Sequence, residues 1–246
     1  MIEAIIYLVA IVAAEVVTVF FQPLWGIIFH VMVLSALIVH SSLAVGHSSR
    51  EFLLSLALVP LIRILSLSMP LAALPQIYWY PIIYAPLLAG ALVVMWRLNF
   101  SAGEVGLTVR MFPIQLVIGL TGVAFGVAEY IILSPEPLLA ELSLGSLWLP
   151  AIILGASTGF VEELVFRGVL QRASGEVLGR WGLIYVSFLF AILHVGFLSG
   201  VEVVFVFGIA LFFGWVVKET GSLLGVTLSH GITNIFLYLV VPFLLA

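Results

Sequence analysis

The chain has 246 residues, of which 64% are hydrophobic and only 8% are charged. Soluble domains carry about 25% charged residues, so this composition excludes an ordinary soluble globular protein. Cysteine and aspartate are absent, which excludes a cysteine nucleophile, disulfides and thiolate metal ligands and makes glutamate the only carboxylate side chain. The net charge is −4 and no basic cluster occurs, so we expect no nucleic acid partner.

Apolar runs of about 20 residues, the length that crosses the hydrocarbon core of a bilayer, recur along the chain. They predict nine membrane spans, at residues 2–20, 24–45, 52–70, 80–97, 114–134, 148–171, 180–198, 201–218 and 223–243. The connection at residues 99–112 is more polar and is typical of an interfacial loop or a short surface helix. The sequence therefore predicts an all-α, polytopic transmembrane bundle of eight to nine helices, forming a single integral membrane domain over residues 1–246.

Basic residues occur in every second predicted loop. They follow only the even-numbered spans, at Arg50, Arg97, Arg110, Arg172, Arg180 and Lys218. Because cytoplasmic loops carry an excess of Lys and Arg, we expect the N-terminus and the even-numbered loops to be cytoplasmic. The chain is thus predicted to be a multi-pass protein of the cell membrane.

The sixth span contains the most informative residues, two adjacent carboxylates and an arginine. A charged side chain at the centre of a membrane helix costs about 3 kcal/mol or more, so such residues indicate function. Gly155, Gly159, Glu163 and Arg167 are spaced by four and share one helix face, which favours close packing and a Glu163–Arg167 ion pair. Glu162 lies off this face, free to point into a cavity, where an apolar environment makes a carboxylate a stronger base.

Two further spans carry polar side chains in apolar surroundings. His194 lies in span seven, and His230 and Asn234 are one turn apart in span nine. With Glu162 they could surround a water molecule and a peptide carbonyl. The glutamate would act as a base, one histidine would orient the water or carry the proton, and a histidine and the asparagine would donate to an oxyanion. Alternatively, Glu162, His194 and His230 form a ligand set common for catalytic zinc. The sequence leaves both mechanisms open, and a divalent metal is no more than an optional cofactor.

Other polar residues in the spans have less specific interpretations. Glu15, Arg63 and Glu129 could pair with one another inside the bundle, which we favour, or form the ion path of a transporter. Gly155-Ala-Ser157-Thr-Gly159 mimics a serine-hydrolase motif but lacks its strand–turn–helix context, so helix packing explains it better. Three histidines have no assigned role and are interpreted as polar packing residues rather than a second metal site: His30, His40 and His47.

The motifs Glu162-Glu163-x-x-x-Arg167, Phe190-x-x-x-His194 and His230-x-x-x-Asn234 resemble the three signatures of the CAAX protease and bacteriocin-processing (CPBP) intramembrane proteases. The resemblance covers about residues 101–240, whereas the first 100 residues carry no such signature. It implies peptide hydrolysis in a water-filled cavity within the bilayer. Glu162 would be the base, supported by Glu163 and Arg167, while His194 would hold the water and His230 and Asn234 would bind the oxyanion.

The resemblance also implies partners and alternatives. The expected substrate is a peptide or protein near the membrane, either prenylated at a CAAX-type C-terminus or not. Some members of the family could act as scaffolds or immunity factors without catalysis. A non-catalytic membrane scaffold and a proton- or ion-coupled transporter are therefore kept as alternatives, and the oligomeric state stays open.

Overall fold

The structure, a computed structural model, describes residues 1–245, and these residues form helices and connecting turns without any strand. Nine helices follow one another: α1 (Ile2–Phe20), α2 (Pro23–Leu43), α3 (His47–Ser68), α4 (Gln76–Leu98), α5 (Phe112–Leu133), α6 (Leu144–Leu178), α7 (Trp181–Phe197), α8 (Gly200–Thr220) and α9 (Leu224–Leu244). All but α7 are long and apolar enough to cross a membrane, and α7 is a shorter apolar helix. The predicted all-α bundle of eight to nine membrane helices is confirmed.

Helix α6 departs most from the prediction. It runs from Leu144 to Leu178, well beyond the predicted end at residue 171. Its last turns, Gln171–Leu178, are amphipathic and pack against α3 and α7, so a search for uniformly apolar sequence misses them. The middle of α6 contains two π-helical stretches, Gly155–Glu162 and Leu164–Leu170. Wide turns of this kind occur often at functional sites, and here they flank the two glutamates.

The first three helices are joined by a buried ion pair. Arg63 of α3 donates to both carboxylate oxygens of Glu15 of α1, through Nε at 2.6 Å and Nη2 at 2.8 Å. His30 of α2 lies on the other side of this carboxylate, with Nε2 3.1 Å from Oε1. The favoured pairing of Glu15 with Arg63 is therefore present. Glu129 does not join it: within the described residues it forms no salt bridge with Arg63, and it lines an internal cavity instead.

Helix α9 lies between α5 and α6, which approach it closely through glycines. A methyl group added at Gly122 of α5 would lie 2.2 Å from the Ser229 carbonyl oxygen, and one at Gly159 of α6 would lie 3.0 Å from the Gly231 Cα. Neither position has room for a side chain. The small-residue face of α6 predicted from the spacing thus packs on α9 and fixes the helix that carries His230.

The connection between α4 and α5 is a structured loop without a surface helix. Backbone and side-chain hydrogen bonds attach it to the α8–α9 connection, as in Leu223 N–H to the Gly106 carbonyl at 2.8 Å. Within the loop, Glu104 accepts from the Ser101 hydroxyl and amide and from Arg172 of α6. These hydrogen bonds, those of Ser101 first, lower the pKa of Glu104 from 4.5 to about 2.

Histidines near the ends of α2 and α3 have separate partners. His40 Nδ1 lies 3.1 Å from the Tyr7 hydroxyl, and His47 Nδ1 lies 3.2 Å from Glu51 Oε1. His30 contacts Glu15, as described above. Polar packing accounts for all three residues.

Candidate active site

A cavity of about 230 Å³ lies among helices α3 to α9. Its wall includes Glu162, His194, His230 and Asn234, the four residues predicted to surround a water and a peptide carbonyl. Glu162 lies near the middle of α6, as it does in the predicted span, and there it meets residues of α7 and α9 across the cavity.

The Glu162 carboxylate is held between two other helices. Its Oε1 atom accepts a hydrogen bond from the Tyr84 hydroxyl of α4, and its Oε2 atom lies 3.9 Å from His230 Nε2 of α9. The residue is only 9% exposed, yet it lines the cavity. A carboxylate in this setting has one oxygen fixed by the phenol and the other available to a small polar molecule in the cavity.

Glu163 and Arg167 lie behind the cavity wall. Arg167 Nη1 donates to Glu163 Oε1 at 3.0 Å, which is the ion pair expected from their spacing. The guanidinium carbon also stands 4.3 Å from the centre of the Phe190 ring, a cation–π contact that the sequence did not suggest. Both charged side chains are almost completely buried, so each depends on the other for compensation.

Glu163 has a second partner that the sequence analysis missed. His230 Nδ1 lies 2.8 Å from Glu163 Oε1, the same oxygen that receives Arg167. A carboxylate only accepts, so His230 must carry its proton on Nδ1 and direct Nε2 towards Glu162. Glu163 therefore connects the arginine to the histidine and sets the orientation of its ring.

His194 is positioned by its own helix. It follows the α-helical part of α7, which ends at Ile192, and its Nδ1 lies 2.9 Å from the Phe190 carbonyl oxygen. Because a carbonyl only accepts, Nδ1 carries the proton and Nε2 is left with a free lone pair. The imidazole lines the cavity, where this nitrogen can accept a hydrogen bond from water.

Asn234 lies one turn after His230 and is fixed by α6. Its Nδ2 donates to Thr158 Oγ1 at 2.7 Å, and the Thr158 hydroxyl donates in turn to the Leu154 carbonyl at 2.8 Å. An amide nitrogen has two N–H groups, so one remains for a ligand. Asn234 thus offers a donor, and His230 directs Nε2 from the same face of α9 towards Glu162.

Glu162, His194 and His230 were also predicted as metal ligands if a metal is used. Within residues 1–245, no three His or Glu side chains are grouped as a metal site. His230 Nε2 is within 3.9 Å of Glu162 Oε2, but the third donor does not join them in one ligand set. The arrangement does not fit a three-ligand centre, and the metal stays an untested prediction.

The cavity also contains residues that the sequence analysis did not assign to the site. They are Arg63, Tyr80, Tyr84, Glu129, Thr158 and Tyr238. Tyr84 is the most important, because it donates directly to Glu162 from a segment without a family signature. In the sequence, Tyr84 is marked only by its spacing of four from Tyr80. In the structure the two rings stack, with their centroids 6.4 Å apart. Ser157, in contrast, is buried and is not part of the cavity wall.

A family model described as Rce1-like, type II CAAX prenyl endopeptidase Rce1-like, matches residues 144–236. The match runs from α6 into α9 and includes all three motifs that carry the resemblance to CAAX proteases, so this resemblance is confirmed. It is narrower than the predicted core of residues 101–240, and it excludes Arg63 and Tyr84. No curated protein matches the chain. No solved structure matches it either.

Proposed function

We propose that this chain, whose residues 144–236 belong to the Rce1-like family, is an intramembrane endopeptidase that hydrolyses a peptide bond with a water activated by Glu162. One observation carries the proposal: Glu162, His194, His230 and Asn234, drawn from three helices, line a single cavity. A base, a water acceptor and two oxyanion donors are the groups that amide hydrolysis requires.

The first step is activation of water. A water molecule between Glu162 Oε2 and His194 Nε2 would donate one hydrogen bond to each acceptor. Glu162 takes one proton, and the oxygen attacks the carbonyl carbon of the peptide. The Tyr84 hydrogen bond keeps the carboxylate oriented while Oε2 reacts.

The second step is stabilisation of the oxyanion. The free N–H of Asn234 provides one donor. Because His230 Nδ1–H is directed to Glu163, His230 Nε2 can donate only when the ring carries both protons. The Glu163 carboxylate accepts from Nδ1 and so fixes the orientation of the ring, and Arg167 holds Glu163 in place. In this mechanism Glu163 and Arg167 are positioning residues.

The third step is collapse of the tetrahedral intermediate. The bond between carbon and nitrogen breaks, and Glu162 returns its proton to the leaving amine. The products are a new carboxylate and a new amine, with one water consumed. General acid–base catalysis of this kind contributes about 10²- to 10⁴-fold in rate, and oxyanion donors add a comparable factor.

The family match supports a substrate of the CAAX type, a protein prenylated near its C-terminus and held at the membrane. The bilayer would present such a substrate to a cavity enclosed by apolar helices. We also propose that the chain lies in the cell membrane with its N-terminus and even-numbered loops cytoplasmic, as the distribution of Lys and Arg favours.

The test uses protein purified in detergent and a quenched fluorescent peptide with a farnesylated CAAX sequence. We expect cleavage, slower cleavage of the peptide without farnesyl, and no loss of rate with a chelator. Loss of activity with the chelator, restored by zinc, would replace the metal-free mechanism with a metal-dependent one. If neither peptide is cleaved, the proposal is contradicted and the scaffold alternative is favoured.

A further inference from the structure

Arg63 is the one Lys or Arg side chain among the described residues that line the cavity. It comes from α3, outside the matched segment, and shares the wall with His194. The proposed mechanism gives this arginine no task, although it lines the same cavity as the histidine that holds the water.

The guanidinium group uses only part of its donor set within the chain. Nε and Nη2 donate to the two oxygens of Glu15, which fixes one edge of the plane. Nη1 makes no hydrogen bond to any described residue and is not among the atoms sealed from solvent. The side chain is 16% exposed, so its unoccupied edge is the part open to the cavity. A planar guanidinium can bind two carboxylates, one on each edge.

Glu15 makes this arginine a fixed donor. The carboxylate is fully buried and also lies 3.1 Å from His30 Nε2. Arg63 is therefore held rigidly by α1 and α2, and little conformational entropy is lost when a ligand binds.

The rest of the described cavity wall offers an anion no second lysine or arginine. Its other acid–base side chains include Glu162 and Glu129, whose carboxyl groups cannot compensate a bound negative charge. A carboxylate that enters this space therefore finds its cationic partner in Arg63. A cavity that contains a base and one fixed cation can distinguish the two ends of a peptide, because the cation binds the end that carries a carboxylate.

We propose that Arg63 binds the C-terminal carboxylate of the substrate and so directs cleavage to a bond close to that terminus. This inference rests on the proposed peptidase function for the identity of the ligand. Arg63 is then a specificity-determining residue contributed by the N-terminal helices. The cavity of about 230 Å³ has room for only a short segment beyond the scissile bond.

The test measures binding without cleavage, in the Glu162→Gln background. Two fluorescent farnesylated CAAX peptides are compared by anisotropy in detergent, one ending in a carboxylate and the other in a carboxamide. We expect the acid to bind about 10- to 100-fold more tightly, the range for a hydrogen bond between charged groups. Glu15→Gln should raise this preference, because Arg63 loses its internal counter-ion.

The decisive variant is Glu15→Gln combined with Arg63→Gln, which keeps two hydrogen-bonding amides in the buried contact and removes both charges. It should bind acid and amide equally. Arg97→Gln, which removes an arginine outside the cavity, should keep the wild-type preference. A role of Arg63 in folding alone would change both affinities by the same factor and leave their ratio unchanged.

Equal binding of the two peptides in the Glu162→Gln background would overturn the inference. So would a double variant that still prefers the acid over the amide, and so would a failure of both peptides to bind at all. Cleavage by protein with Glu162 intact, measured on the same pair, tests the proposed function separately. Equal cleavage of both peptides would support a peptidase and refute the carboxylate site. A preference in binding without any cleavage would support the site and refute the peptidase.

Discussion

Removal of one hydroxyl group, in Tyr84→Phe, tests whether the N-terminal helices take part in catalysis. The Tyr84 phenol donates to Glu162 Oε1, and phenylalanine keeps the ring and its stacking on Tyr80. A hydrogen bond to a charged group contributes about 1.5–3 kcal/mol, and about 1.4 kcal/mol corresponds to a factor of ten. Without it, the Glu162 carboxylate is less often in the orientation that directs Oε2 to the water.

We therefore expect kcat to fall by about 10- to 100-fold. KM should stay nearly constant, because the tyrosine contacts the base rather than the substrate. The assay is steady-state cleavage of the farnesylated peptide, with kcat and KM determined for each variant.

Tyr80→Phe is the matched control. Tyr80 lines the same cavity and stacks on Tyr84, but it makes no hydrogen bond to Glu162. Its loss should leave kcat almost unchanged. Equal effects of the two substitutions, or an unchanged kcat in Tyr84→Phe, would refute the assignment of Tyr84 as a positioning residue.

Three further predictions concern stability, measured as unfolding in detergent. Arg167→Met leaves Glu163 buried without its cation and should destabilise the protein by about 3–5 kcal/mol; a loss below about 1 kcal/mol would contradict the buried ion pair. Gly122→Ala should destabilise the protein by about 1–3 kcal/mol through overpacking. Gly208→Ala is the control and should be neutral, because the added methyl group meets no atom within 4 Å. Equal effects of the two substitutions would argue against the close approach of α5 and α9. The pKa of Glu104 is lowered from 4.5 to about 2, so its contribution to the free energy of unfolding is complete above pH 4.5 and disappears as the pH falls towards 2. Glu104→Gln should therefore make the free energy of unfolding depend less on pH over that range. An unchanged pH dependence would contradict the assignment.

Much of the fold could be predicted because the bilayer restricts the choice of structures. Only helices satisfy every backbone hydrogen bond in lipid without closing a barrel, so apolar runs of the right length locate the spans. The end of α6 was missed because Gln171–Leu178 is amphipathic and continues the helix beyond its apolar part. The π-helical turns around the two glutamates likewise leave no mark in hydropathy.

The candidate site was predictable to the extent that its residues are polar and lie in membrane spans. Glu162, His194, His230 and Asn234 stand out for that reason, and the spacing of four indicated the Glu163–Arg167 pair. Contacts between distant segments could not be read in this way.

The hydrogen bond from Tyr84 to Glu162 and the approach of His230 to Glu163 are examples, with sequence separations of 78 and 67 residues. Tyrosine is common near the ends of membrane helices, so nothing in the sequence separates Tyr84 from an interfacial anchor. The expected pairing of Glu129 with the Glu15–Arg63 pair was wrong, because composition does not determine which buried acid a helix presents to which neighbour.

The central claim is that Glu162 is the base, and the most direct test is the rate of peptide cleavage by Glu162→Gln. Glutamine has the same shape and can still accept from Tyr84, but it cannot take a proton from water. The variant should unfold at nearly the wild-type temperature while cleavage of the farnesylated peptide falls by about 10²-fold or more. A folded Glu162→Gln protein that cleaves at the wild-type rate would contradict the account.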